Sequence, residues 1–199
     1  MPKTITQTVY KFSELSDDAK ESAKDEYKES FGYVWNMEAL ESIKALAKHF
    51  GGKVKNYSIE WWNPNGSWMD FDMPESEEIV ERFWNGEKSA YDMNDSELES
   101  AAKESIKTLA EKLGAYDPET GKGLGYCVLT GYCADENAID GLRAGIKAGK
   151  SLDESMQMAF KSWMKSCNED YESFYSDGEF SEHSDSNGYW YDEDGHLVK

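Results

Sequence analysis

The hydrophobic pattern changes its period inside this chain, and that change limits the folds available to it. Residues 54–73, "VKNYSIEWWNPNGSWMDFDM", alternate apolar and polar side chains, which is typical of β-strands. Asn63-Pro64-Asn65-Gly66 separates the two halves and is a turn signal, so the stretch predicts a β-hairpin. Tyr57, Ile59 and Trp61 are expected on one face of its first strand.

The segments on both sides of this hairpin carry apolar residues at every third or fourth position, which predicts helices. Ser16 is expected to cap the first of them, and Ser151 with Glu154 forms a capping box before the longest. Asn94 or Asp95 is expected to cap another. The predicted helices cover residues 17–31, 36–50, 75–84, 96–113, a segment that begins at 135 or 136, and 152–175.

Three shorter segments have the pattern of strands. They are the first ten residues, residues 124–133, and the closing stretch around Asp194-Gly195, where a second hairpin is expected. The sequence therefore predicts an α+β fold in which several helices pack on a small antiparallel sheet with β-hairpins. We expect one compact domain over residues 1–199, or two lobes that meet near residues 85–95.

The net charge of the chain is −19, from 40 Asp and Glu against 21 Lys and Arg. Residues 151–199 alone contribute −9, from 12 acidic and three basic side chains. Direct binding to DNA, RNA or an anionic membrane needs the opposite sign of charge. The excess instead serves solubility, or it attracts a partner with a basic surface.

The closing segment, residues 173–199, combines this charge with aromatic side chains. It contains seven acidic residues and one Lys, together with Phe174, Tyr175, Phe180, Tyr189, Trp190 and Tyr191. Disordered acidic tails are poor in aromatic residues, so this segment is expected to fold and to present an acidic surface. The carboxylates that we expect to bind a partner are Glu169, Asp170, Glu172, Asp177, Glu179, Glu182 and Asp185.

Trp61, Trp62 and Trp68 gather around the predicted turn of the first hairpin. Tryptophan in such a position packs in a core, anchors a protein interface or stacks on a sugar. All three readings stay open at the level of sequence, and the three residues are included among the expected partner-binding residues.

The sequence predicts no catalytic residue, no metal site and no cofactor site. Six residues separate Gly114 from Gly121, and no Ser or Thr follows Lys122, so this loop lacks the spacing of a phosphate-binding loop. Cys127 and Cys133 are too far apart in sequence for a typical zinc pair. The acidic runs also lack the residue order of a calcium-binding EF-hand loop.

The sequence also lacks a signal peptide pattern and a long apolar run. Its three cysteines form no disulfide framework, which favours a reducing compartment. We therefore expect an intracellular protein that does not bind a membrane.

Four segments resemble a group of small phage and prophage proteins, some of which carry an antitoxin-like label. They are "VYKFSELSDDAKESAKDEY", "IEWWNPNGSWMDFD", "LTGYCADENAIDGL" and "YWYDEDGHLV". The resemblance implies no catalytic residue. It implies a phage protein that acts in the host cell cytoplasm. By analogy, compact acidic phage proteins often inhibit host nucleases.

The leading hypothesis is an anti-CRISPR or anti-restriction inhibitor that binds the basic surface of a host nucleic-acid-binding protein or nuclease complex. The alternatives are an antitoxin-like regulatory partner of a toxin and a tryptophan-based carbohydrate-binding module. The sequence leaves the identity of the target and the oligomeric state open.

Overall fold

A computed structural model describes residues 6–113, 129 and 135–198 of the chain. The predicted α+β class is confirmed, because these residues form helices and a two-stranded antiparallel sheet. The elements are α1 (Asp17–Phe31), α2 (Asn36–His49), β1 (Lys53–Ser58), β2 (Trp68–Asp72), α3 (Ser76–Phe83), α4 (Asp95–Lys112), α5 (Asp135–Lys147), α6 (Leu152–Phe174) and α7 (Asp177–Ser186). Short 3₁₀ turns precede α1 and α4.

The chain divides into two compact units. The first unit combines residues 1–34 with residues 169–199, and the second covers residues 35–168. One boundary falls within α6, after Asn168. Residues 85–95, where the sequence suggests a junction of two lobes, lie inside the second unit.

Aromatic rings form the core of the first unit. Phe12, Tyr27 and Phe180 are buried, and the Phe180 ring centroid lies 4.9 Å from that of Phe12 and 5.4 Å from that of Tyr27. Tyr175 and Tyr191 from the acidic closing segment are also buried. Burial of these rings confirms that the acidic segment folds, since its aromatic residues supply much of the unit's apolar core.

The end of the chain forms short β-bridges rather than regular strands. Tyr191 pairs with Leu197 across the predicted turn and with Tyr10 on its other side. The closing hairpin is therefore confirmed in reduced form. A strand was also expected over the first ten residues. Among the described residues 6–10, only Tyr10 forms a β-bridge, so this prediction is wrong for residues 6–9.

Helix α7 is absent from the sequence prediction. Phe180 and Ser184 are its buried residues, so it offers almost no apolar periodicity to detect. Its start is nevertheless marked, because the Ser176 side chain accepts a hydrogen bond from the backbone N–H of Glu179. The acidic residues Asp177, Glu179, Glu182 and Asp185 therefore lie on a helix that the sequence pattern did not indicate.

The hairpin of the second unit pairs β1 with β2, with Tyr57 opposite Met69 and Ser58 opposite Trp68. The predicted first strand is placed too late, because Ile59 and Trp61 lie in the connection. Side-chain hydrogen bonds hold this connection where strand pairing was expected. The Ser67 hydroxyl accepts from the Glu60 N–H at 2.8 Å, and the Asn63 amide donates to the Glu60 carboxylate at 3.0 Å.

The helices of the second unit bury the apolar stripes that their periodicity predicts. The fully buried members include Ile43, Leu46, Phe50, Leu142, Met156 and Trp163. The apolar periodicity also predicts that Phe31 and Met37 are buried, and this prediction is wrong. Phe31 in the first unit is 56% exposed and Met37 in the second is 65% exposed. Each lies in a terminal turn of its helix, where fewer neighbours cover a side chain.

Replacing Asn94 with alanine is expected to destabilise the protein by about 1 kcal/mol. The Asn94 side chain accepts hydrogen bonds from the N–H groups of Ser96 and Glu97, and the Glu97 carboxylate accepts from the Asn94 N–H. Chemical denaturation followed by circular dichroism measures the change. Ser100→Ala on the same helix is the control and should change stability by less than about 0.5 kcal/mol. Equal effects of the two variants would contradict the capping role.

Candidate acidic binding surface

The negative charge of the chain is concentrated in the first unit. This unit contains 17 Asp and Glu against six Lys, which gives a net charge of −11. The second unit contains 23 Asp and Glu against 15 Lys and Arg, for a net charge of −8. The smaller of the two units therefore carries more than half of the excess charge.

Every lysine that the structure describes in the first unit forms an ion pair within it. The Nζ atoms of Lys20 and Lys24 lie 3.5 Å and 3.0 Å from the Asp177 carboxylate, and Lys24 also contacts Glu21. Lys28 pairs with Asp25 at 2.9 Å, and Lys11 pairs with Asp185 at 3.3 Å. These internal pairs use the described lysines of the first unit, so carboxylates such as Glu172, Glu179 and Glu182 are exposed without an ion pair among the described residues.

Three of the seven predicted carboxylates support the fold of the first unit. Asp177 connects α7 to α1, and the hydrogen bond from Lys24 holds the pKa of this carboxyl below its usual range. Asp185 pairs with Lys11, and Asp170 accepts a hydrogen bond from the Tyr33 hydroxyl. These three carboxylates are therefore partly occupied by contacts within the protein.

The other four predicted carboxylates are exposed. Glu169 and Glu172 lie at the end of α6, and Glu179 and Glu182 lie on α7. Within the described residues, no ion pair is found for Glu172, Glu179 or Glu182. These three side chains are thus the predicted residues that are most available to an external cation.

Helix α7 presents three of its four acidic residues on one face. Glu179, Glu182 and Asp185 follow each other at intervals of three residues, opposite the buried Phe180 and Ser184. Each interval corresponds to a rise of about 4.5 Å along the helix. The helix therefore displays a row of negative charges, and the aromatic core beneath it fixes their positions.

A second acidic row lies on α1 and was missed at the level of sequence. Its members recur at intervals of three or four on the exposed side of the helix: Asp18, Glu21, Asp25 and Glu29. Glu21 and Asp25 pair with lysines, whereas Asp18 and Glu29 have no ion pair among the described residues. The periodicity that predicts the buried stripe of α1 could have revealed this opposite stripe as well.

The three predicted tryptophans belong to the second unit and differ in exposure. Trp61 is half-buried, with its ring 5.9 Å from that of Trp163, and its carbonyl accepts a hydrogen bond from the Asn168 amide at 2.7 Å. Trp62 is 64% exposed and Trp68 is 48% exposed. Trp61 therefore packs within the protein, while Trp62 and Trp68 present their rings to solvent.

His183 lies on the half-buried side of α7. Its Nε2 atom lies 2.9 Å from the Tyr27 hydroxyl, and the rings of Phe174, Phe180 and Tyr189 lie near it. Burial lowers its pKa from the usual value of 6.5. His196, in contrast, is exposed, and its hydrogen bond to Glu26 raises its pKa.

These pKa shifts predict that His183 titrates below pH 6.5 and His196 above it in the folded protein. The fold favours neutral His183, so its contribution to stability is complete above pH 6.5 and is lost as the pH falls through its folded pKa. His196 acts in the opposite direction, since its contribution is lost as the pH rises through its folded pKa. NMR titration of the imidazole signals measures both values, with His183→Gln and His196→Gln assigning them. Two midpoints at the usual value would contradict the described environments.

The described residues contain no group of three or more His, Cys, Asp or Glu side chains placed to hold a metal ion. Cys127 and Cys133 lie outside the described residues, and Cys167 is buried in α6. Within the part of the chain that the structure describes, no helix is long and apolar enough to cross a membrane.

Comparison with known proteins gives no match. No protein-family model, no curated protein and no solved structure matches this chain.

Proposed function

We propose that this chain is a phage-encoded acidic protein that binds and inhibits a host nucleic-acid-handling defence complex in the host cytoplasm. In this proposal it acts as an anti-CRISPR or anti-restriction protein. Carboxylates of the first unit dock against a Lys- and Arg-rich surface that normally holds nucleic acid. Four segments that resemble small phage and prophage proteins support a phage origin.

The observation that carries the proposal is the charge balance of the first unit. It combines a net charge of −11 with described lysines that are all paired internally. An acidic surface of this kind speeds association with a basic partner and discriminates against acidic ones. Solubility alone requires charge but no fixed arrangement of it.

The arrangement of the acidic rows also favours a binding role. Glu179 and Glu182 lie on a helix that is fixed to α1 by buried aromatic contacts and by the Asp177 ion pairs. A rigid display of charges loses little conformational entropy when a partner binds. The α7 row and the α1 row therefore offer preorganised substitutes for the phosphates of a nucleic acid.

Trp62 and Trp68 are exposed on the second unit, where they are candidates for a separate contact with a protein partner. Exposed tryptophan is enriched among the residues that dominate binding energy in protein interfaces. The same exposure supports a second candidate function, which is stacking on a sugar. Quenching of tryptophan fluorescence by a panel of glycans, lost in Trp62→Ala, would favour that second candidate.

Affinity capture with nucleic-acid competition tests the proposal. Immobilised protein is incubated with an extract of a bacterium that contains CRISPR effectors and restriction enzymes, at low and at high salt. The proposal predicts retention of a nucleic-acid-binding protein at low salt, its release at high salt, and its displacement by added duplex or guide RNA.

Two other outcomes would contradict the proposal. Capture of a small toxin that nucleic acid does not displace would favour an antitoxin-like role. Retention of no nucleic-acid-binding protein at either salt concentration would leave solubility as the role of the acidic surface. An in vitro cleavage assay with the captured nuclease then distinguishes inhibition from binding without effect.

A further inference from the structure

The second unit contains a groove of about 610 Å³, and none of the residues of the proposed acidic binding surface lines it. It lies between the start of α3, one side of α4 and the segment that leads into α6. Its volume falls within the range of about 300–1,000 Å³ that is typical of ligand sites. All of its lining residues belong to the second unit.

The floor of this groove is apolar. Ile79, Ala102 and Leu152 are buried beneath it, and Leu98 and Ile106 on α4 remain partly exposed along its side. Partly exposed aliphatic side chains beside a cavity offer contact area to an apolar group from outside. The groove can therefore accept one or two aliphatic side chains.

The rim of the groove is acidic. Its two lysines are paired with glutamates, since Lys103 Nζ lies 2.7 Å from Glu99 and Lys150 Nζ lies 3.5 Å from Glu154. The other rim carboxylates, Glu75, Glu77 and Asp153, form no ion pair within the described residues. An occupant that carries positive charge beside its apolar group would neutralise this rim.

We propose that this groove binds a protein segment in which aliphatic side chains are flanked by lysine or arginine. The apolar floor selects the aliphatic residues, and the three uncompensated carboxylates select the flanking cations. An acidic segment would be repelled by the rim. A segment with cations alone would leave the apolar floor uncovered, so both features are required together.

This binding site goes beyond the proposed inhibitor function and does not depend on it. The groove is formed by the second unit, whereas the acidic rows lie on the first. Neutralising Glu172, Glu179 and Glu182 should leave binding in the groove unchanged. Failure of one proposal can thus be told apart from failure of the other.

Binding of a labelled synthetic peptide to the full chain tests the groove. The probe is a hexapeptide with two leucines flanked on each side by two lysines, and the comparison peptide has two serines in place of the leucines. Fluorescence anisotropy gives the affinity. Methyl NMR spectra show whether the signals of Ile79, Leu98, Ile106 and Leu152 shift.

Two matched triple variants separate the groove from general electrostatic attraction. The groove variant is Glu75→Gln, Glu77→Gln and Asp153→Asn, and it should bind the leucine peptide about tenfold more weakly. The control variant changes net charge equally at positions that do not line the groove. It consists of Glu104→Gln, Glu111→Gln and Glu136→Gln, and its affinity should stay within about twofold of the parent.

The outcomes decide the proposal in either direction. Preferential binding of the leucine peptide, with shifts confined to the groove methyl groups and loss in the groove variant, would support it. Equal binding of the serine peptide would show attraction by charge alone and would overturn it. Absence of binding, or shifts located elsewhere in the chain, would overturn it as well.

Discussion

Gly195→Ala is expected to destabilise the first unit by at least about 3 kcal/mol, because it combines backbone strain with a collision in the core. Gly195 has a φ of +92°, a conformation that residues with a side chain rarely adopt. A Cβ atom at this position would lie 2.0 Å from the backbone carbonyl oxygen of Ala19 in α1. The closing hairpin would have to move away from α1.

Two other glycines of the first unit provide controls for this change. Gly188 has a φ of +69° but open space around its Cβ position, so Gly188→Ala tests strain alone and should cost about 1–2 kcal/mol. Gly178 in α7 has a negative φ and open space, so alanine there should be neutral or slightly stabilising.

Denaturation followed by circular dichroism measures the three glycine variants. The N–H groups of Tyr10 and Tyr191 donate to each other's carbonyls, so their hydrogen exchange reports on how firmly the closing segment is held. A Gly195→Ala variant as stable as Gly188→Ala would contradict the close contact between the hairpin and α1.

The triple variant Glu172→Lys, Glu179→Lys and Glu182→Lys is expected to weaken binding of the proposed basic partner about 100-fold or more. Each reversal replaces an attraction to the partner with a repulsion, while the described ion pairs of the first unit do not involve these residues. The fold should therefore remain intact. Surface plasmon resonance with the captured partner measures the loss, and circular dichroism verifies the fold.

A matched control carries three reversals on the second unit, namely Glu104→Lys, Glu111→Lys and Glu136→Lys. It has the same net charge as the test variant, and its affinity should fall by no more than about tenfold through long-range effects. Equal losses in the two variants would show that total charge, and not the acidic surface of the first unit, governs binding.

Local signals in the sequence predict several features of the fold correctly. Ser16, Asn94 and Ser151 cap their helices as expected, because capping depends on close neighbours in the sequence. The turn at Asn63 to Gly66 also forms where expected, with a hydrogen bond of 3.1 Å from the Gly66 N–H to the Asn63 carbonyl.

Features that depend on distant contacts could not be predicted in this way. Asp177 belongs to the ion pairs with Lys20 and Lys24, which lie on α1 near the opposite end of the sequence. The alternation that predicts a strand at Trp61 does not show that Asn168 binds its carbonyl and that Trp163 packs on its ring. The sequence therefore indicates which carboxylates and tryptophans are candidates, while tertiary contacts separate the supporting residues from the exposed ones.

The most direct test of the central claim is the salt dependence of the association rate between this protein and its captured partner. If the acidic surface of the first unit guides binding, the rate should fall at least about tenfold between about 50 mM and about 300 mM NaCl. The Glu172, Glu179 and Glu182 reversal should remove most of that dependence. A rate that does not change with salt, or a dependence that the triple variant retains in full, would contradict the claim.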